Sequence, residues 1–157
     1  MKKVLLSILL IAFTFAITNA QSKKQTNERV ITQSSALGIR LNAGDGTGAE
    51  LSYQCRLGGV SRLELGVGLN LNESLHLSGL YQVMFGLFSS ERLRWYAGFG
   101  AGAIFPRAGG SQFGVLGSFG IEYNFRIPFQ ISLDVRPGYY FSDFVWGGVG
   151  LGIRYRF

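Results

Sequence analysis

Cysteine is almost missing from this chain. Cys55 is the single one among 157 residues, so no intramolecular disulfide can staple the fold. No lysine follows Lys24, histidine occurs once, at His76, and only three prolines interrupt the sequence. Metal-ligand clusters, phosphate-cradling loops and nucleotide motifs are lacking, and no cofactor is implied. The stretch Gly98-Phe99-Gly100-Ala101-Gly102 is glycine-rich, but it continues a two-residue alternation and opens no helix. Beyond residue 20 no apolar run approaches the ~20 residues that a membrane-spanning helix needs. A helical period is lacking there too.

What is present begins with Met1-Lys2-Lys3, an apolar run over 4–17, and Thr18-Asn19-Ala20. That basic, apolar, small-residue order predicts a secretory signal peptide over 1–20, cleaved between Ala20 and Gln21. Residues 21–34 are polar and without period, and are expected to be a flexible periplasmic leader. Loss of Lys2 and Lys3 takes the formal charge from +6 to +6 − 2 = +4. Nucleic acid is not expected as a partner of an exported chain.

From 35 to 157 the pattern is strands and short turns. Eight segments stand out, at 35–43, 47–57, 62–71, 75–88, 93–104, 113–125, 129–141 and 145–157. Each is about as long as the ~9–11 residues of a tilted transmembrane strand. Gly44-Asp45-Gly46, Gly58-Gly59, Ser89-Ser90-Glu91 and Ala108-Gly109-Gly110-Ser111 supply turn chemistry between them. Successive side chains of a strand point to opposite faces. In 62–71 this sets Leu63, Leu65, Val67, Leu69 and Leu71 against Arg62, Glu64, Gly66, Gly68 and Asn70. The closing strand does the same: Val149, Leu151, Ile153, Tyr155 and Phe157 alternate with Gly150, Gly152, Arg154 and Arg156.

A soluble lipocalin-like barrel or sandwich would turn the apolar face inward and a polar face to water. The polar face here is rich in glycine and poor in lysine, which makes a bare solvent surface. It suits a narrow lumen, where glycine leaves room for arginine and tyrosine from the opposite wall. The expected fold is therefore all-β, an eight-stranded antiparallel up-and-down transmembrane β-barrel. On this reading Cys55 is a small lipid-facing side chain. Two aromatic girdles follow the same register. One holds Phe85, Phe88, Trp95, Tyr123, Phe125, Phe129, Tyr155 and Phe157, and the other Phe105, Phe113, Tyr139, Phe141, Phe144 and Trp146. Pro137, which cannot donate to a ladder, is expected where its strand leaves the bilayer.

The predicted lumen set contains Glu50, Glu64, Glu122 and Asp134, with Arg40, Arg56, Arg62, Arg94, Arg136, Arg154 and Arg156. Hairpin arithmetic places Arg40 opposite Glu50, Arg94 opposite Glu122 and Asp134 opposite Arg154. The preferred reading is a charge-paired plug in a lumen just wide enough for its side chains, with a proton or ion pathway as the alternative.

Signal peptide, eight amphipathic strands and an aromatic C-terminal residue together resemble small bacterial outer-membrane barrels of the OmpX and OmpA-transmembrane-domain type. The resemblance implies an outer-membrane location with both termini periplasmic, contact with outer-membrane lipid and lipopolysaccharide, and a monomer by default. It also implies insertion by the barrel assembly machinery, whose C-terminal recognition signal Leu151, Ile153, Tyr155 and Phe157 resemble. The connections at the outer end are short, the longest about 106–112, and no room remains for a periplasmic peptidoglycan-binding domain. His76-Leu77-Ser78 resembles the His-x-Ser spacing of outer-membrane lipid A deacylases, but Gly79 stands where that family has Asn. A carboxylate at the expected distance is lacking too. No catalytic site is expected. The function so implied is a non-enzymatic envelope or scaffolding component, with a narrow porin-like channel as the alternative.

Overall fold

The computed structural model describes residues 34–44, 47–71, 73–87, 90–141, 143–145 and 148–157, by backbone alone at 90, 91 and 143–145. The expected signal peptide and all of the leader except Ser34 lie outside the described residues. So do Asp45, Gly46, Phe88, Ser89 and Trp146, and the side chain of Phe144.

Ten strands form among the described residues: β1 Ser35–Ala43, β2 Gly48–Gly58, β3 Ser61–Asn70, β4 Leu75–Leu87, β5 Ser90–Phe105, β6 Gln112–Asn124, β7 Phe129–Val135, β8 Gly138–Tyr140, β9 Asp143–Val145 and β10 Val149–Arg156. β7 continues as β8, and β9 as β10, so the wall has eight staves. Each stave pairs antiparallel with the next, and β10 returns to β1 with Ala36 opposite Arg156 and Ala43 opposite Val149. Backbone bonds between Phe157 and Ser35 extend that seam, at 2.9 and 3.1 Å. The eight staves thus close on themselves, the condition for a sheet to span lipid.

Burial along the strands has the opposite sense to that of a water-soluble barrel. In β10 the apolar odd positions are exposed and Gly150, Gly152 and Arg154 are buried. Ile39 is 57% exposed while its neighbour Arg40 is 2% exposed. Leu41, Leu65, Leu69, Phe99, Phe119, Leu133 and Ile153 belong to the same exposed apolar face. An apolar surface this continuous aggregates in water and is stable only against lipid. At the rim that holds Ser35 and Phe157, the terminal rim, Phe85 stacks on Trp95 with centroids 4.4 Å apart, and Tyr123–Phe125 and Phe129–Tyr155 meet edge to face. At the opposite rim Phe105 meets Phe113.

Turns follow their chemistry. Gly58 and Gly59 both adopt positive φ, 131° and 53°, which only glycine does without steric cost, and they reverse the chain between β2 and β3. Pro137 falls between β7 and β8. Its carbonyl still accepts from the amide of Gly117 at 2.8 Å, and the ladder resumes in β8. The strand is interrupted there, not ended, because only the donor half of the residue is missing. On the other side, Val135 pairs with Val149 and Gly138 with Val145.

Replacement of Ile39 by arginine puts a charge on the lipid face near mid-strand. Its expected cost is about 2–4 kcal/mol, read from urea unfolding of the protein in phospholipid vesicles. An unchanged midpoint would contradict the outward placement of Ile39.

Candidate functional site: the lumen

Even-numbered positions of β1, β2, β3, β6, β7 and β10 face the barrel axis, and their side chains fill it in layers. The central layer is ionic. Glu64 accepts from Ser52 at 2.8 Å, Gln54 at 3.0 Å and Arg154 at 3.0 Å, and from Arg136. Arg136 also donates to Glu50 at 2.9 Å, and Arg154 to Ser52 and Ser132 at 2.9 and 2.6 Å. Asp134 accepts from Arg40 Nε at 2.9 Å and from the Tyr96 hydroxyl at 2.8 Å. Toward the terminal rim, Arg62 pairs with Glu122, bonds Gln82 at 2.6 Å and lies over the Tyr96 ring at 4.5 Å. Gln130 adds a further donor to Glu122 at 2.9 Å. Toward the other rim the lumen turns apolar, with Leu80, Leu116 and Tyr140 buried together and Ile104 packed against them.

Among the described residues the buried charges are Arg40, Arg62, Arg136 and Arg154 against Glu50, Glu64, Glu122 and Asp134. Four against four leaves the interior neutral. That balance decides the stability of the layer, because a single uncompensated buried charge costs ~3–5 kcal/mol. Glycine makes the arrangement sterically possible. A side chain at Gly150 would occupy the position of the Arg40 guanidinium, and one at Gly66 that of the Glu50 carboxylate.

The register places Arg40 opposite Glu50 and Arg94 opposite Glu122. Arg40 forms the expected ion pair with Glu50, at 3.7 Å, and also bonds Asp134, while Glu122 also pairs with Arg62. The expected Asp134–Arg154 pair is corrected: Asp134 faces Gly150 and Arg154 faces Gln130, a displacement of four residues. The reversal falls between Tyr140 and Asp143, so Asp143 and Phe144 join the ladder where a loop was expected. Arg154 reaches Glu64 instead. Leu151, Ile153 and Tyr155 face outward along the seam with β1, and Phe157 closes it.

His76 and Ser78 share a face but make no bond to each other. The His76 ring meets the Tyr140 hydroxyl at 2.9 Å, and Ser78 Oγ has no hydrogen-bond partner among the described residues. No base is therefore aimed at the serine. No group of three potential metal ligands occurs among the described residues. Sequence reasoning missed the neutral participants Ser52, Gln54, Tyr96, Gln130 and Ser132 and the apolar layer of Leu80 and Leu116. Their even numbering already placed them on the lumen face.

An inverted eight-stave wall around a filled ionic interior defines a small transmembrane β-barrel. The N-terminal β-barrel domain of Pseudomonas aeruginosa OprF has this fold: TM-score 0.69 at 18% identity, covering 80% of this chain and 98% of that domain. Yersinia pestis outer membrane protein Ail superposes with TM-score 0.52 at 17% identity over 78% of this chain and 97% of its own. A de novo designed transmembrane β-barrel does so with TM-score 0.57 at 15% identity, over 83% of this chain and all of the design. At such identities the likeness is one of fold. No protein-family model and no curated protein matches the sequence.

Glu64→Leu leaves one positive charge in excess, with Arg154 stripped of its carboxylate, and should lower stability by about 3–5 kcal/mol. Adding Arg154→Met restores neutrality and should recover a large part of the loss. Urea midpoints of the two variants in the same vesicles check both statements.

Proposed function

We propose that this chain is a bacterial outer-membrane barrel with a sealed lumen that acts as a structural or scaffolding component of the envelope and performs no catalysis. The observation that carries this reading is the neutral ionic layer backed by the apolar layer of Leu80, Leu116 and Tyr140. Ions crossing it would have to displace Arg136 from Glu50 and Glu64 and then pass an apolar constriction, and both steps are costly. The outer-membrane neighbours OprF and Ail support the location. The rim holding Ser35 and Phe157 then faces the periplasm, and the chain is a monomer in contact with outer-membrane lipid and lipopolysaccharide. The exposed row Leu151, Ile153 and Tyr155, ending on Phe157, serves as the signal for the barrel assembly machinery.

In a planar bilayer the purified protein should give no stable unitary openings at neutral pH. Steady openings would overturn the sealed lumen and favour a narrow channel. Deletion of Phe157 should slow insertion into vesicles carrying the assembly machinery, while spontaneous refolding in detergent stays within about twofold of the parent. Equal slowing in both would contradict a recognition role.

A further inference from the structure

Strand β3 carries glycine at two successive lumen-side positions, Gly66 and Gly68, and it lies between β2 and β4. Gly66 faces Ser52 on one side and Ser78 on the other, while Gly68 faces Glu50 and His76. With no side chain on the strand between them, groups from β2 and β4 meet over β3. A Cβ on Gly66 would collide with both Ser78 Oγ and Glu50 Oε1, so the serine hydroxyl and the carboxylate converge on one spot. The bond between His76 and Tyr140 lies one lumen position further from the terminal rim.

Two atoms at this spot lack a hydrogen-bond partner among the described residues, Glu50 Oε2 and Ser78 Oγ. Their residues are 2% and 9% exposed. A buried acceptor and a buried hydroxyl are both costly unless bonded. One small molecule that accepts from the hydroxyl and donates to the carboxylate relieves both. Its charge is dictated by the surroundings. Arg136 bonds Glu50 Oε1 at 2.9 Å and Arg40 stands 3.7 Å from Oε2, so a cation is repelled. An anion would meet the carboxylate itself. An ion of either sign would also upset the balance of four buried arginines against four buried acids. The occupant is therefore neutral, and it is both a donor and an acceptor.

We propose that Ser78 and Glu50 bind a single buried water molecule over Gly66. The Ser78 hydroxyl donates to the water oxygen, and the water donates to Glu50 Oε2. Two polar partners meet the minimum that a buried water needs. The site gives Ser78 a role that does not depend on His76, whose ring is taken by Tyr140. It also gives Gly66 a second reason to be glycine, since a methyl there would intrude on the serine and the carboxylate together.

A crystal structure of the folded full-length protein tests this, with a second crystal soaked in rubidium chloride. The density should show one peak within hydrogen-bonding distance of both Ser78 Oγ and a Glu50 carboxylate oxygen, without anomalous signal after the soak. In detergent micelles, water-selective NOE and ROE spectra should show cross-relaxation from a long-lived water to the Gly66 amide. Ser78→Ala should abolish both the peak and the cross-relaxation, and Ser118→Ala should leave them unchanged. If Ser78→Ala does not fold, the density of the parent protein decides. A rubidium signal at the peak would assign a cation and overturn the proposal. A direct bond between Ser78 and Glu50 with no peak beside it, or a peak that persists in Ser78→Ala, would overturn it as well.

Discussion

A guanidinium or carboxylate inside a narrow barrel has little water to solvate it, so it needs opposite charge and aimed hydrogen-bond partners together. Glu64 shows how completely this is met, with two arginines, a serine and a glutamine around one carboxylate. Its partners come from β2, from the Arg136 step between β7 and β8, and from β10, on different parts of the wall. The ionic layer therefore ties the staves across the lumen as the backbone ladder ties them around it. Much of the remaining structure accommodates these cross-lumen chords. Gly66 and Gly150 are small because a carboxylate and a guanidinium occupy the space beside them.

The same constraint separates interior from exterior. Lipid outside supplies no hydrogen bonds, so the outward face is reduced to apolar and aromatic side chains, and the closed ladder satisfies the backbone. Packing against a protein core has no part in holding that face. Cohesion comes from ladder closure, from the lipid, and from a neutral interior in which breaking one pair leaves another charge stranded. The fold tolerates Pro137 within the wall on these terms, since the break costs one donor and leaves the carbonyl of Pro137 bonded to Gly117.

Strand alternation made the wall readable in the sequence. A period of two over eight segments, with glycine and arginine on the polar face, is enough to infer a barrel turned inside out. The segment 35–43 matches β1, and the register of β1 on β2 follows from a short turn. The pairing inside was less readable for a geometric reason. Local arithmetic finds residues that face each other along adjacent strands, whereas lumen side chains bond across the barrel to residues far off in sequence. Glu64 and Arg154 are 90 residues apart, and Arg62 and Glu122 are 60 apart. The displaced Asp134–Arg154 register had a second cause. A tight reversal after Tyr140 moves the partner.

Hydrogen exchange of the arginine side chains tests the ionic plug most directly. Nitrogen-15 spectra of the folded protein in lipid should show the guanidinium protons of Arg136 and Arg154 exchanging with water at least about a hundredfold more slowly than those of exposed Arg107. Exchange as fast as that of Arg107 would mean that water reaches the centre of the lumen, and would contradict a sealed interior held by paired charges.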